Sequence, residues 1–383
     1  MLTIDMGQEP GTLKEKLGND LYKVRNLVVS GKINGDDLAT LRDMVGCTDN
    51  KTPKLANLDL SAAQIVKGGV YMEDYELNID DYLPDNVFEF AVSLRSIAVP
   101  GTLRSIGYAA FQDTYSLREV TLNEGLEKID TWAFASWNVE SSLEKINIPS
   151  TVRSFEGTTF ASCYKLKDLV FHSDNPYYTF DGKAVYTKDY GQIVHILPSY
   201  AGVLSLPDAC RTVQWSSLRS GKLKGFVGKN VIEIGGHAFA DLWSADYLAF
   251  GSKLKRVGIG PFSYARLNRL YLGCHDIPDG EYVDYVDGVY SDYWDAYKNV
   301  TLYVPRDAVD KFRKHRVWGM AKEVLPIEDT DFAYLADSEL DAVDEVETSS
   351  TAMPHSIYSP TGVKLNRPIK GLNIVDGKKV MVK

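Results

Sequence analysis

Apolar residues recur at fixed intervals through the middle of this chain. The segments SLRSIAVPGTLRSIGYAAF (93–111), SLREVTLNEGLEKIDTWAF (116–134) and SLEKINIPSTVRSFEGTTF (142–160) share one pattern. Counted from Leu94, Leu117 and Leu143, apolar side chains stand at +3, +5, +9, +12 and +17. A fourth copy over 245–262 keeps the register with Ala245 in the leucine place, through Leu248, Phe250, Leu254, Val257 and Phe262. All twenty of these positions are apolar, against 44% hydrophobic residues in the 383-residue chain as a whole. Successive first positions lie 23 and 26 residues apart, within the roughly 20–50-residue range of repeat architectures.

The +3 and +5 residues alternate with outward-pointing neighbours, which predicts a short strand with one face in a core. Proline at +6, Pro100 and Pro149, ends that strand because it has no N–H to offer a neighbour. The +9 and +12 pair predicts a return along the other side, and the aromatic at +17 a large ring packed between the layers. One copy alone leaves its apolar face in water, so neighbours must stack into a continuous core. The fold class this predicts is a β-rich solenoid, with a parallel sheet built from one strand per repeat and short helices in its caps.

Degenerate copies lengthen the array. Phe88 stands six residues before Leu94, as Phe111 does before Leu117. Further copies begin at Leu166, Val203, Leu223 and Leu267. The repeat body is expected over 83–326, with insertions at about 174–200 and 274–298. Residues 1–82 read as an N-terminal cap, with strands around Leu27 and Leu58 and a helix capped by the Asn34-Gly-Asp-Asp run. The 327–355 stretch reads as an acidic linker in which Phe332, Tyr334 and Leu335 can dock locally. Residues 356–383 read as a small C-terminal β unit with a hairpin turn at Asp376-Gly377.

These residues carry a resemblance. The unit SLRSIAVPGTLRSIGYAAF, with its I-x-V-P strand and closing Ala-Phe, resembles the BspA-like leucine-rich repeat, a surface-protein family of gut and oral anaerobic bacteria. The break at Asn175-Pro-Tyr-Tyr, followed by Phe180-Asp-Gly-Lys-Ala-Val-Tyr and Ile196-Leu-Pro198, resembles the β-hairpin insertion common in that family. Thr301-Leu-Tyr-Val-Pro305, a short helix and Trp318 resemble its closing segment, and the tail from Tyr358 to Lys383 is similar to the C-terminal unit of many exported proteins. The chain departs from the family in its cysteines. Only Cys163 holds the place that often follows the closing phenylalanine, with Thr114, Trp137 and Ala265 elsewhere. The resemblance implies a right-handed leucine-rich-repeat solenoid and an exported protein whose signal peptide is absent from this chain. It implies residence outside the cell or at the outer-membrane surface, and binding rather than catalysis. No single ligand follows, because the scaffold hosts many surfaces.

Charge and candidate chemistry narrow the function classes. Forty-two Lys and Arg against 52 Asp and Glu give −10, which argues against a nucleic-acid-coating protein. Ten acids and no Lys or Arg fall between Glu323 and Val363, whereas 364–383 holds six bases and one acid, suiting a solvated edge or an anionic membrane surface. No apolar run reaches the ~18 residues of a transmembrane segment. Cys47, Cys163, Cys210 and Cys274 form no metal-ligand motif and read as small buried residues. The histidines show no ligand spacing, Gly258-Ile-Gly260 lacks the third glycine of a dinucleotide loop, and no G-x-S-x-G occurs. No catalytic residue, cofactor or metal site is expected.

Two surfaces remain as candidates. The 274–298 insertion interleaves seven carboxylates with Tyr282, Tyr285, Tyr290, Tyr293, Trp294 and Tyr297. It reads as a hairpin covering the last repeat or as a recognition loop; its oxygen ligands admit calcium without an EF-hand spacing. The +2 and +4 positions of the repeat strands are predicted to face water: Ser96 and Ala98, Glu119 and Thr121, Lys145 and Asn147, Asp168 and Val170, Tyr247 and Ala249, Arg269 and Tyr271. Tyr247, Arg269 and Tyr271, near the insertion, are the preferred binding residues. The expected function is non-catalytic adhesion to a host or neighbouring-cell protein by a monomer. The alternative is glycan capture for nutrient uptake through the aromatic-acidic insertion.

Overall fold

The computed structural model describes residues 1–48, 52–137, 140–219, 221–243, 245–280 and 298–336, and the backbone of four strands between 357 and 382. Each repeat gives one strand to a front sheet and a two-residue strand to a back sheet. The front strands follow chain order. Leu2–Asp5, Asn26–Ile33, Asn57–Asp59, Ser96–Ala98 and Glu119–Thr121 form one sheet, and Lys145–Ile148 pairs with Asp168–Phe171. Val203–Ser205, Gly225–Gly228, Ala245–Phe250, Leu267–Leu272, Thr301–Val304 and Glu323–Pro326 form another. These pairs are parallel and matched at the same template position: Ile97 lies beside Leu58 and Val120, and Leu248 beside Phe226 and Leu270. The back strands Tyr82–Leu83, Ser105–Ile106, Lys128–Ile129 and Ser154–Phe155 repeat the arrangement. The chain is therefore the parallel β-solenoid that its spacing predicts.

Helices are short. Gly35–Val45 starts at Asn34, whose side chain and that of Asp37 complete a reciprocal capping box. Near the other end, Val309–Lys314 buries Phe312 against Trp318. Lys364–Leu365, Ile357–Tyr358, Gly371–Val375 and Lys378–Val382 form a four-stranded antiparallel sheet in that order.

The closing phenylalanines make a spine. Phe88, Phe111, Phe134 and Phe160 stack with ring centroids 5.6, 5.1 and 5.3 Å apart. Each turn around such a ring uses left-handed backbone two residues before or after it, and often at both places. Asn86 and Phe90, Ala109 and Asp113, His237 and Asp241, and Gly260 and Tyr264 have φ between 48° and 60°. For a residue with a side chain this conformation is disfavoured by about 1–2 kcal/mol. Backbone bonds to the next turn offset it: the amides of Phe88, Phe111 and Phe134 donate to Ala110, Ala133 and Thr159 at 2.8–3.0 Å. Cys163, just beyond Phe160, donates its thiol to the Phe134 carbonyl at 3.0 Å, and burial pushes that thiol up to about 12.

The insertion after Asn175 is a splice between two stretches of solenoid. Tyr178–Phe180, Ala184–Thr187 and Gln192–Ile196 run antiparallel, and the last pairs in parallel with Thr212–Val213. Val185, Val194 and Leu197 join the core of the first half, and Ala184, Tyr186, Ile193 and Ile196 that of the second. Gly157 leaves room for the second half's first turn, since a Cβ there would lie 2.8 Å from the Trp215 carbonyl oxygen. His195, 1% exposed, sits against Phe155 and Phe160. Its Nδ1 lies 2.7 Å from the Gly157 carbonyl, which can only accept, so Nδ1 carries the proton; Nε2 has no partner. Burial lowers this imidazole's pKa to about 4.

Two measurements check this packing. Phe134→Ala is expected to cost about 3–5 kcal/mol, read as a lower urea midpoint. His195 stays neutral when folded but takes up a proton near 6.5 when unfolded. Its contribution is therefore complete above pH 6.5 and is lost as pH falls toward 4. Between pH 7 and 5 this residue alone removes about 2 kcal/mol of stability, so His195→Gln should lose less than wild type over that interval. Equal losses would assign the effect to other groups.

Candidate functional site

The outer face of the front sheet receives two side chains from each repeat, and the strand register stacks them into two rows. In the first half one row runs Asn26, Asn57, Ser96 and Glu119, the other Val28, Asp59, Ala98 and Thr121. The first row is cross-linked: Asn57 Nδ2 donates to Asn26 Oδ1 at 2.5 Å, and Ser96 Oγ to Asn57 Oδ1 at 2.8 Å. These side chains line a groove of about 420 Å³. A second groove of about 420 Å³ continues from Glu119 and Thr121 to Lys145 and Asn147. The face is polar and open.

The second half differs. Its rows are Gly225, Tyr247, Arg269 and Thr301 beside Val227, Ala249, Tyr271 and Tyr303. The latter is apolar and aromatic throughout, and the chain's own segment 327–336 lies across it. Ala249, Tyr271, Ile327 and Leu335 are 0–2% exposed and form a core separate from that inside the solenoid. Phe332 packs its ring 4.9 Å from Tyr247 and 4.4 Å from Tyr271, and Tyr271 stacks on Tyr303 at 4.7 Å. The expectation that Ala249 and Tyr271 face water is thereby corrected. A row of this composition is more stable covered, and the opening ten residues of the expected acidic linker cover it. Desolvation raises the Tyr271 phenol above its ordinary value. Arg269 remains exposed and Tyr247 half-buried. Tyr282, Tyr285, Tyr290, Tyr293 and Trp294 lie outside the described residues.

Polar contacts tie the strap down at both ends. The Arg306 amide donates to Glu328, and its guanidinium meets Asp329 at 2.6 Å. His275 places Nδ1 2.9 Å from Asp307 and Nε2 3.4 Å from the Ala336 carbonyl. Both partners accept, and the Asp307 hydrogen bond raises the pKa of this imidazole, whose protonated form can donate to both. Gly273 permits the close approach, since a Cβ there would fall 2.0 Å from the Leu335 carbonyl oxygen. Gly273→Ala should lift the strap while the solenoid stays folded. Hydrogen exchange checks this: the Leu335 amide should exchange about tenfold faster or more, with the Phe111 and Phe134 amides unchanged.

Residues 81–190 match the family model described as BspA type leucine rich repeat region, in six copies. No curated protein matches. Among solved structures, the chain is similar to a leucine rich cell surface protein from Faecalibacterium prausnitzii, at 15% identity over 87% of this chain and 86% of that one, with a TM-score of 0.49. It is also similar to the pneumococcal vaccine antigen PcpA, at 17% identity over 80% of each chain and a TM-score of 0.43. A leucine-rich repeat protein from Eubacterium ventriosum shares 16% identity over 63% of this chain and 72% of that one, with a TM-score of 0.40. Residues 81–190 thus carry six BspA-type leucine-rich repeats, and they stand within a parallel solenoid that continues on either side of them.

Proposed function

We propose that the protein is a non-catalytic recognition protein of the cell surface or extracellular space. In this reading it binds a surface protein of a host or neighbouring cell through the open half of its front sheet. One observation carries the reading: the apolar row of the second half is covered by the molecule's own chain, whereas among the described residues nothing covers the first half, whose Asn26–Asn57–Ser96 row is polar and cross-linked. The Asn26–Asn57–Ser96 ladder fixes the side chains in advance, which lowers the ordering cost of binding. Arg269 and Tyr247, beside the strap, extend the surface toward the insertion. The repeat family supports a binding role. Among the described residues no three His, Cys, Asp or Glu gather as metal ligands, and no helix is long and apolar enough to cross a membrane.

The test sets immobilised extracellular-matrix proteins beside a glycan array. Binding to a matrix protein should fall tenfold or more when Asn57 and Thr121 are both changed to Arg, and persist when Tyr290 and Trp294 are both changed to Ala. Polysaccharide binding abolished by the second pair, with no protein binding sensitive to the first, would replace this reading with glycan capture.

A further inference from the structure

The chain has ten more acids than bases, yet one groove of about 410 Å³ is lined by Lys23, Arg25, Lys54 and Arg95 and, among the described residues, by no carboxylate. It runs beside the starts of the first front strands. Arg25, Ala56, Arg95 and Arg118 hold equivalent places in successive turns. The Ala56 amide donates to Arg25 at 2.9 Å, that of Arg95 to Ala56 at 2.7 Å and that of Arg118 to Arg95 at 2.8 Å. Stacked strands lie ~4.8 Å apart, so the backbone holds this row at a regular pitch and Arg118 carries it beyond the groove. The wall is fixed by Ser93, whose hydroxyl donates to Leu55 at 2.7 Å, and by Ser116, which donates to Val92 at 2.8 Å.

What sets these cations apart is that they gather along one groove with no partner among the described residues. All five are exposed, and among the described residues none makes an ion pair or a side-chain hydrogen bond. Several other arginines of the solenoid are neutralised from turn to turn. Glu127 sits between Arg104 and Arg153 at 3.2 and 2.6 Å, Arg256 meets Glu233 at 2.5 Å, and Arg219 meets Asp241 at 3.0 Å. A row of like charges repels itself until an anion joins it.

We propose that this groove binds a sulfated polysaccharide. Guanidinium forks match the oxygens of a sulfate bidentately, and the two lysines add point charges. No aromatic ring lines the groove, so it lacks both the stacking platform of single-stranded nucleic-acid sites and the aromatic anchors on which protein interfaces rest. A linear polyanion whose charges repeat along its length fits a row whose cations repeat along the solenoid. The groove shares no lining residue with the two grooves of the sheet face, although Arg118, at the end of the row, also lines the second of those.

Calorimetry with soluble heparin as the probe tests the assignment on the full chain. Changing Arg25, Lys54 and Arg95 together to Gln should weaken binding about a hundredfold and remove most of its salt dependence, with the urea midpoint unchanged. The charge-matched change of Lys378, Lys379 and Lys383 to Gln controls for the six bases of 364–383 and should leave affinity as it is. Desulfated heparin and a poly-glutamate peptide should bind at least tenfold more weakly. No heparin binding, equal binding of poly-glutamate, or a loss that follows the C-terminal changes instead of the groove would each overturn the proposal.

Discussion

A typical turn of this chain has a front strand of three to six residues, a back strand of two, and one phenylalanine with nothing to lie against until the next turn arrives. Such elements are far too short to persist alone, so stability belongs to the contacts between turns. Parallel register follows, because like must stack on like: Ile97 on Val120, and Phe111 on Phe134. The same dependence explains backbone that would otherwise be disfavoured. Phe90, Trp132 and Tyr264 take left-handed φ values of 60°, 59° and 56°, tolerable because the turns on either side bond to theirs.

A structure made by stacking has exposed ends wherever the stacking stops, and the chain treats each interruption alike. At the C-terminal end Phe312 and Trp318, both fully buried, close the last turn. At the break after Asn175, two faces would be left open; the inserted hairpin is apolar on both sides and serves both. Over the outer face of the second half the strap does the same, laying Ile327, Phe332 and Leu335 on a row that water would otherwise meet. All three are responses to apolar surface that a regular repeat leaves uncovered.

The core was legible in the sequence because burial imposes the same demand at every turn. Ile97, Val120, Ile146 and Leu248 are all at most 6% exposed. The left-handed turns were not, since Asn, Ala, Asp, His, Phe, Trp and Tyr all occupy them and no residue type marks the place. Strand alternation told which face Ala249 and Tyr271 take, but not that a segment more than fifty residues later returns to cover it. The signal for that cover lay in two places at once. One was an unbroken apolar row of Val227, Ala249, Tyr271 and Tyr303; the other was three apolar anchors set among Glu328, Asp329 and Asp331. Arg25, Arg95 and Arg118, each just after the first apolar residue of its strand, were equally visible as a row, but their lack of acidic partners required coordinates.

Because the core fixes the backbone of each repeat and asks nothing of its outward residues, differences between the halves can accumulate only on the surface. They do so with a direction. The strap, anchored by Glu328 and Asp329 to Arg306 and by the Ala336 carbonyl to His275, occupies the last turns. The open polar rows and the unpaired cations occupy the first. The net charge of −10 therefore misdescribes the first turns, since the acid-rich stretch begins at Glu323, far along the solenoid from Arg25. A repeat protein polarised in this way leaves the polar face of one end open and uses the other end to finish its own fold.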